Sequence, residues 1–370
     1  MVISTIIVFL SISFLVYQQI FTNTYKSDTQ EHLVFMYSFL GDHGILTYPL
    51  WHLSGLYLSQ IFSIPFQYGA ILASSLYVSS WFILIFLYAK SYLKQHTYYT
   101  HLLIVWITFL IGPLCIPWYN HVIFWGQGSP NIWHNVTLWT VKPFALLSVW
   151  LTIEGLKNKN KRLLVWGTLA VITSIFAKPS FIIIFLPALI LYGIIKHLHH
   201  QRFFIQYFIL ISILSIIILY DQYTHTFTQS EGKIIIDFLG VWSGSSPNVA
   251  ISIGLALAFP LAFILLKFEI IKDDYILIGW IMTFISIIYY ATFAQTGRFY
   301  SHGNFGWSYM IAMSLLYLFS IVKFFEFYSI LHPLKRYLLT LLLSIQTLIG
   351  IYYFIHILMG QHPLYITIFL

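Results

Sequence analysis

The stretch Ser27-Asp28-Thr29-Gln30-Glu31-His32 sets two carboxylates and an imidazole within five positions, in a chain where only 8% of residues are charged. Asp28 and Glu31 are three apart, so on a helix they share a face. A carboxylate in a partly dehydrated setting can take a proton from a hydroxyl or bind a divalent cation. Three other places carry complementary groups. Trp133-His134-Asn135 supplies an aromatic ring, an imidazole and an amide, with Lys142 two turns further on. Lys178 stands alone in Ala177-Lys178-Pro179-Ser180, and the stretch 295–307 holds Arg298, Tyr300, His302, Asn304 and Trp307 among Gly297, Gly303 and Gly306. A guanidinium suits a forked grip on phosphate, and bare glycine backbone lets a ligand come close. Each group also has a plainer role. Acids after an apolar run can be a hydrated helix end, cations can snorkel, and Trp and Tyr can anchor at a membrane interface.

The elements that must position these residues are apolar. The 370 residues are 59% hydrophobic and 19% aromatic, with a mean hydropathy of +0.83. A soluble globular protein carries about 25% charged residues. This composition implies an all-α, polytopic transmembrane bundle forming one integral-membrane domain over 1–370. A single cysteine excludes a disulfide framework and any multi-cysteine metal site. The net charge of +7 is read as a topology signal rather than as nucleic-acid binding.

A spanning helix needs about 20 apolar residues. By that measure about eleven spans are expected, near 2–21, 67–89, 101–118, 138–156, 163–177, 180–195, 203–220, 250–267, 275–293, 308–325 and 337–357. Pro179 favours a tight hairpin between the fifth and sixth. Basic residues fall on alternate connections, most clearly in the run 157–162, KNKNKR, against only Lys26, Lys142, Lys178, Lys233 and Arg298 elsewhere. The positive-inside rule then puts the N-terminus in the cytoplasm and the polar groups singled out above on the outer face. The first outer segment, 22–66, keeps apolar residues at helical spacing over 32–41 and 46–62, with His43, Tyr48 and His52 interleaved. One or two amphipathic helices lying in the interface are expected there.

Other patterns carry less. No two outer histidines have the i, i+4 spacing of a helical zinc motif with its acid. His197-Leu198-His199-His200 beside Arg202 reads as a basic helix end. Asn135-Val136-Thr137 is a glycosylation acceptor by pattern only.

The plan resembles the GT-C superfamily of integral-membrane glycosyltransferases. The features shared are a cytoplasmic N-terminus, a first span ending in an acidic outer segment with interfacial helices, about eleven spans and a Lys-Pro hairpin. The resemblance implies a catalytic carboxylate in the first outer loop, a polyprenyl-phosphate sugar donor, and basic residues that hold its phosphate. Asp28 matches the carboxylate position best and Glu31 second. Arg298, Lys178 and Lys142 are the expected phosphate contacts, with His32, His134, Asn135, His302, Asn304 and Trp307 around the substrates. Asp28 and Glu31 would also hold Mg2+ or Mn2+ if a divalent cation is used. Here Asp-x-x-Glu-His stands in place of the paired Asp-x-Asp or Glu-x-Asp of some members, and no soluble C-terminal domain is expected within 1–370.

The function expected is therefore inverting transfer of a sugar to a glycan or lipid-linked acceptor on the outer face of a bacterial cytoplasmic membrane. A polysaccharide polymerase or ligase of the O-antigen type is the nearest alternative, although such enzymes usually show several outer arginines. A lipid-linked saccharide flippase or transporter would need polar groups through mid-membrane, or broken helices in corresponding positions of two halves. A membrane acyltransferase is kept open by His134-Asn135.

Overall fold

The structure is a computed structural model; it describes residues 1–22, 27–41, 46–116, 119–120, 126–227 and 232–361. Among the described residues the helices of eight residues or more, in chain order, are α1 (Val2–Phe21), α2 (Asp28–Leu40), α3 (Leu50–Phe62), α4 (Phe66–Tyr92), α5 (Tyr98–Leu110), α6 (Val136–Lys157), α7 (Lys161–Ala177), α8 (Ser180–Ile195), α9 (Arg202–Phe227), α10 (Val249–Ala256), α11 (Ala258–Leu266), α12 (Asp274–Thr292), α13 (Gly306–Phe327) and α14 (Pro333–Leu358). Two three-residue strands, β1 (Ile234–Ile236) and β2 (Phe293–Gln295), pair antiparallel. Polar side chains start several helices by accepting orphan N–H groups: Asn135 for α6, Asn160 for α7, Asn248 for α10 and Asp273 for α12.

Among the described residues, 7 helices are long and apolar enough to cross a membrane, consistent with a multi-pass integral membrane protein. The pair α10 and α11, bent by 74° at a break, would make an eighth crossing. Helices α5, α7 and α8 have 13, 17 and 16 residues. Each of the apolar stretches read from the sequence thus contains helix, while the number that reach full spanning length is smaller than eleven. Among the described residues of 22–65 there are two helices of 13 residues each, α2 and α3. Asp42 and His43 lie outside the described residues.

The chain divides into two compact units, one of residues 1–81 and 133–233, the other of 82–132 and 234–370. In the first unit α6 and α7 pack as a pair, α2 lies against α1 and α3, and α3 also meets α6 and α7. Close approach of α3 to α4 depends on small residues. A Cβ added at Gly69 would lie 2.1 Å from the Gly55 carbonyl and 2.9 Å from Ser59. Such contacts are the means by which apolar helices associate in lipid. Trp51 Nε1 of α3 donates to Ser74 at 2.9 Å, and Ser54 shares a 2.6 Å hydrogen bond with Tyr77. Gly69→Leu is expected to force α3 off α4 and lower stability by about 1–3 kcal/mol or more. Thermal unfolding in detergent checks this; an unchanged midpoint would mean the helix contact is not needed.

In the second unit a buried amide makes the α10–α11 break tolerable. Gln346 accepts from the Phe259 N–H at 3.2 Å and donates to Tyr317 Oη at 2.7 Å and to the Gly112 carbonyl at 3.2 Å. Tyr317 in turn donates to the Ala256 carbonyl at 2.6 Å. Backbone groups freed by the break therefore find partners inside protein, as they must away from water. At the basic end of this unit Lys323 pairs with Asp273 at 3.1 Å and Glu326 at 2.8 Å.

Candidate functional site

The first unit brings together residues that lie far apart in sequence. Asp28 is the first residue of α2 and half-exposed. Its backbone N–H donates to the His134 carbonyl at 3.2 Å, and its carboxylate Oδ2 accepts from Asn135 Nδ2. The orientation of that amide is set by local structure. As the residue capping α6, Asn135 turns Oδ1 toward the Leu138 N–H at 2.7 Å and accepts the Thr137 hydroxyl at 3.0 Å, so Nδ2 is left to face Asp28. Lys178 Nζ donates to Thr137 Oγ1 at 2.9 Å. Lys178, Thr137, Asn135 and Asp28 thus form one directional chain of donors, running from a cation to a carboxylate. Bonds arranged head to tail polarise one another.

Lys178 reaches this place because of its successor. Pro179 disfavours helix in the residue before it, and Lys178 is extended at φ −168°, ψ 118°, ending α7 with its N–H on Ser174. The side chain is buried. Burial brings its pKa down from the usual lysine range to about 8, while the Asp28 charge acts to raise it. Its ammonium also lies 5.9 Å from the centre of the Tyr48 ring.

Behind these groups sits a pair of buried imidazoles. His32 Nδ1 and His52 Nε2 share a hydrogen bond at 3.2 Å, and the His32 ring packs edge-on to Phe35, Tyr48 and His52. Burial holds His32 well below the usual histidine range, and the charges of His52 and Lys178 add to this. Burial takes His52 to about 4. Both rings are neutral hydrogen-bonding groups at neutral pH. The Tyr48 phenol is pushed up to about 12 by burial, with Asp28 and Glu31 adding to the shift.

Gln19, near the end of apolar α1, fixes the entry to this cluster. Its amide donates to the Trp133 carbonyl at 2.7 Å and its Oε1 accepts the Thr29 hydroxyl at 2.6 Å. Glu31 is on the next turn of α2 from Asp28 and is exposed. Lys142 is buried in α6, its ammonium 5.8 Å from the centre of the Trp81 ring. Among the described residues no group of three or more His, Cys, Asp or Glu could hold a metal ion.

Other expected site residues belong to the second unit. The Arg298 side chain lies outside the described residues; its backbone is in a 3-10 turn, Gly297–His302. His302 is exposed, with its ring edge-on to Phe299. Asn304 donates to the Gln295 side chain, and Trp307 is buried in the first turn of α13.

Thr137 and Gln19 were not singled out by sequence reasoning. Thr137 did carry a signal, since Asn135-Val136-Thr137 matches a glycosylation pattern. The structure buries Asn135 and Thr137 to 2% and 0% exposure and uses both polar groups internally, so in the folded chain this asparagine is no acceptor. Gln19 stands beside Gln18 as one of two amides in an otherwise apolar stretch of α1. Compared with known protein families, curated proteins and solved structures, the chain gives no match to any.

Proposed function

We propose that this chain is a membrane glycosyltransferase, moving a sugar from a polyprenyl-phosphate donor to a hydroxyl of a glycan or lipid-linked acceptor on the outer face. One observation carries the reading: a buried lysine and a half-exposed carboxylate joined through Thr137 and Asn135, beside two neutral imidazoles. Group transfer from a lipid phosphate needs both charges close together. The carboxylate takes the proton of the attacking hydroxyl, and the cation meets the phosphate that leaves.

In this reading the donor's isoprenoid chain stays in the bilayer and its phosphate lies at Lys178. The acceptor oxygen forms its bond to the anomeric carbon as the bond from that carbon to the phosphate oxygen breaks. Its proton passes to Asp28, and the bonding pair leaves with polyprenyl phosphate, whose charge Lys178 stabilises. A single displacement of this kind inverts the anomeric centre. His32 offers a neutral donor or acceptor to the sugar or the phosphate. The eleven-span topology with a cytoplasmic N-terminus belongs to the same proposal and rests on the alternation of basic connections. The transfer step itself uses Asp28, Lys178 and His32, all of the first unit, and does not call on Arg298.

The bent pair α10–α11 favours a second reading, a lipid-linked saccharide flippase, because broken helices are a feature of transporters. One experiment separates the two. The purified chain in nanodiscs is given a radiolabelled polyprenyl-phosphate sugar with candidate acceptors. The glycosyltransferase reading expects release of polyprenyl phosphate and a product of inverted anomeric configuration; transport of intact donor in proteoliposomes without cleavage would favour the flippase.

A further inference from the structure

We infer that the segment Ile234–Phe238 is a membrane-binding shelf, seated in the interfacial layer of the bilayer at the end of α12. The first observation is depth. Helix α12 has 19 residues, about 28 Å of helix at 1.5 Å per residue, close to the thickness of a hydrocarbon core. Its last residues therefore lie at a hydrocarbon boundary. The segment is bonded to those residues: the Asp237 N–H donates to the Thr292 carbonyl at 2.9 Å, and the Leu239 N–H to the Ala291 carbonyl at 2.7 Å. These are C-terminal helix carbonyls that would otherwise lack partners. Ahead of them, β1 pairs with β2 in the register Ile236 to Phe293, Ile235 to Ala294 and Ile234 to Gln295. Since β2 continues α12 without a break, the whole ribbon stays within about 10 Å of the span's end.

The second observation is what the segment leaves uncovered. Ile236 is 78% exposed and Phe238 73%, with Ile234 and Ile235 also exposed. Ile234 and Ile236 are two apart and share one face of the strand. Large apolar side chains grouped at this exposure mark a contact surface rather than ordinary water-facing loop. The other side of the segment is held firmly. Asp237 accepts the Tyr300 hydroxyl at 2.5 Å. Leu239 keeps a left-handed φ of 59°, a conformation that persists only where surrounding bonds enforce it. The apolar residues are therefore presented by a fixed ribbon.

The same geometry selects the occupant. A ribbon of two strands has an unpaired edge, which excludes it from the hydrocarbon core, where no water could satisfy those groups. At the headgroup–acyl boundary the edge stays hydrated while Ile236 and Phe238 enter the apolar side of that layer. This inference does not depend on the transferase reading; it needs only that α12 spans a membrane.

The test uses the full chain in nanodiscs with Cys115→Ser, which removes the single native cysteine. New cysteines at Ile236, Phe238 and, as a water-exposed control, Asn158 are labelled with an environment-sensitive fluorophore. The probes at 236 and 238 are expected to be quenched several-fold more by phospholipids with a nitroxide at a shallow acyl carbon than by aqueous iodide, and the Asn158 probe the reverse. Iodide quenching at 236 and 238 equal to that at 158 would overturn the shelf. So would protection from both quenchers, which would indicate cover by a second copy of the chain.

Discussion

Asp28→Asn is expected to lose about 10²- to 10⁴-fold in turnover, the range in which a positioned acid–base group contributes. The amide keeps the size of the carboxylate and can still meet Asn135, but it cannot accept the proton of the attacking hydroxyl. The substitution also removes the negative charge that acts to raise the Lys178 pKa. The comparison is therefore made well below pH 8, where Lys178 stays protonated and the loss reads on the proton transfer itself. There, donor affinity should be largely retained while kcat falls. Glu31→Gln is the internal control. Glu31 is exposed and one turn removed from the hydrogen-bonded chain, so its effect should be much smaller. A larger loss for Glu31→Gln than for Asp28→Asn would exchange the two roles.

Lys178→Met should show the second large effect, on donor use rather than on proton transfer. Loss of one electrostatic group in a water-excluded site typically costs about 10²- to 10³-fold. Here it should appear mostly as weaker capture of the lipid phosphate. The wild-type pH dependence has a definite sign. Burial lowers the Lys178 pKa to about 8, so the cation is present below that value and is lost as pH rises through it. The apparent KM for donor should therefore climb on the alkaline side. Lys178→Arg keeps its charge throughout this range, so the alkaline climb should flatten even though the guanidinium fits Thr137 differently. A wild-type KM that is flat across pH 8, and unchanged in Lys178→Met, would remove Lys178 from phosphate binding.

Much of this arrangement is legible along the chain because lipid imposes a one-dimensional rule. Apolar stretches near 20 residues mark α1, α4, α6, α9, α12, α13 and α14, and Lys-Pro marks the α7–α8 turn. Helices α2 and α3 follow from apolar spacing within the segment 22–66. What the sequence does not show is the partnership. Asp28 meets Asn135 across 107 positions, and Lys178 meets Thr137 across 41. No periodicity encodes such a pairing; it follows from how α2, α6 and α7 pack. Asn135 illustrates the gap. Its type suggests a ligand contact, whereas its capping role at α6 consumes one end of the amide and aims the other at Asp28. The ribbon of β1 and β2 is hidden for a different reason: strands of three residues are too short for an alternating pattern to register.

The most direct test of the cluster's role is a paired measurement of donor binding and donor cleavage in nanodiscs, for the wild type, Asp28→Asn and Lys178→Met. If the carboxylate takes the proton and the lysine holds the phosphate, Asp28→Asn binds the polyprenyl-phosphate sugar with near-normal affinity and fails to release polyprenyl phosphate, whereas Lys178→Met loses binding. Equal cleavage by all three folded proteins would contradict this assignment and reduce the Asp28–Lys178 chain to a structural tie between helices.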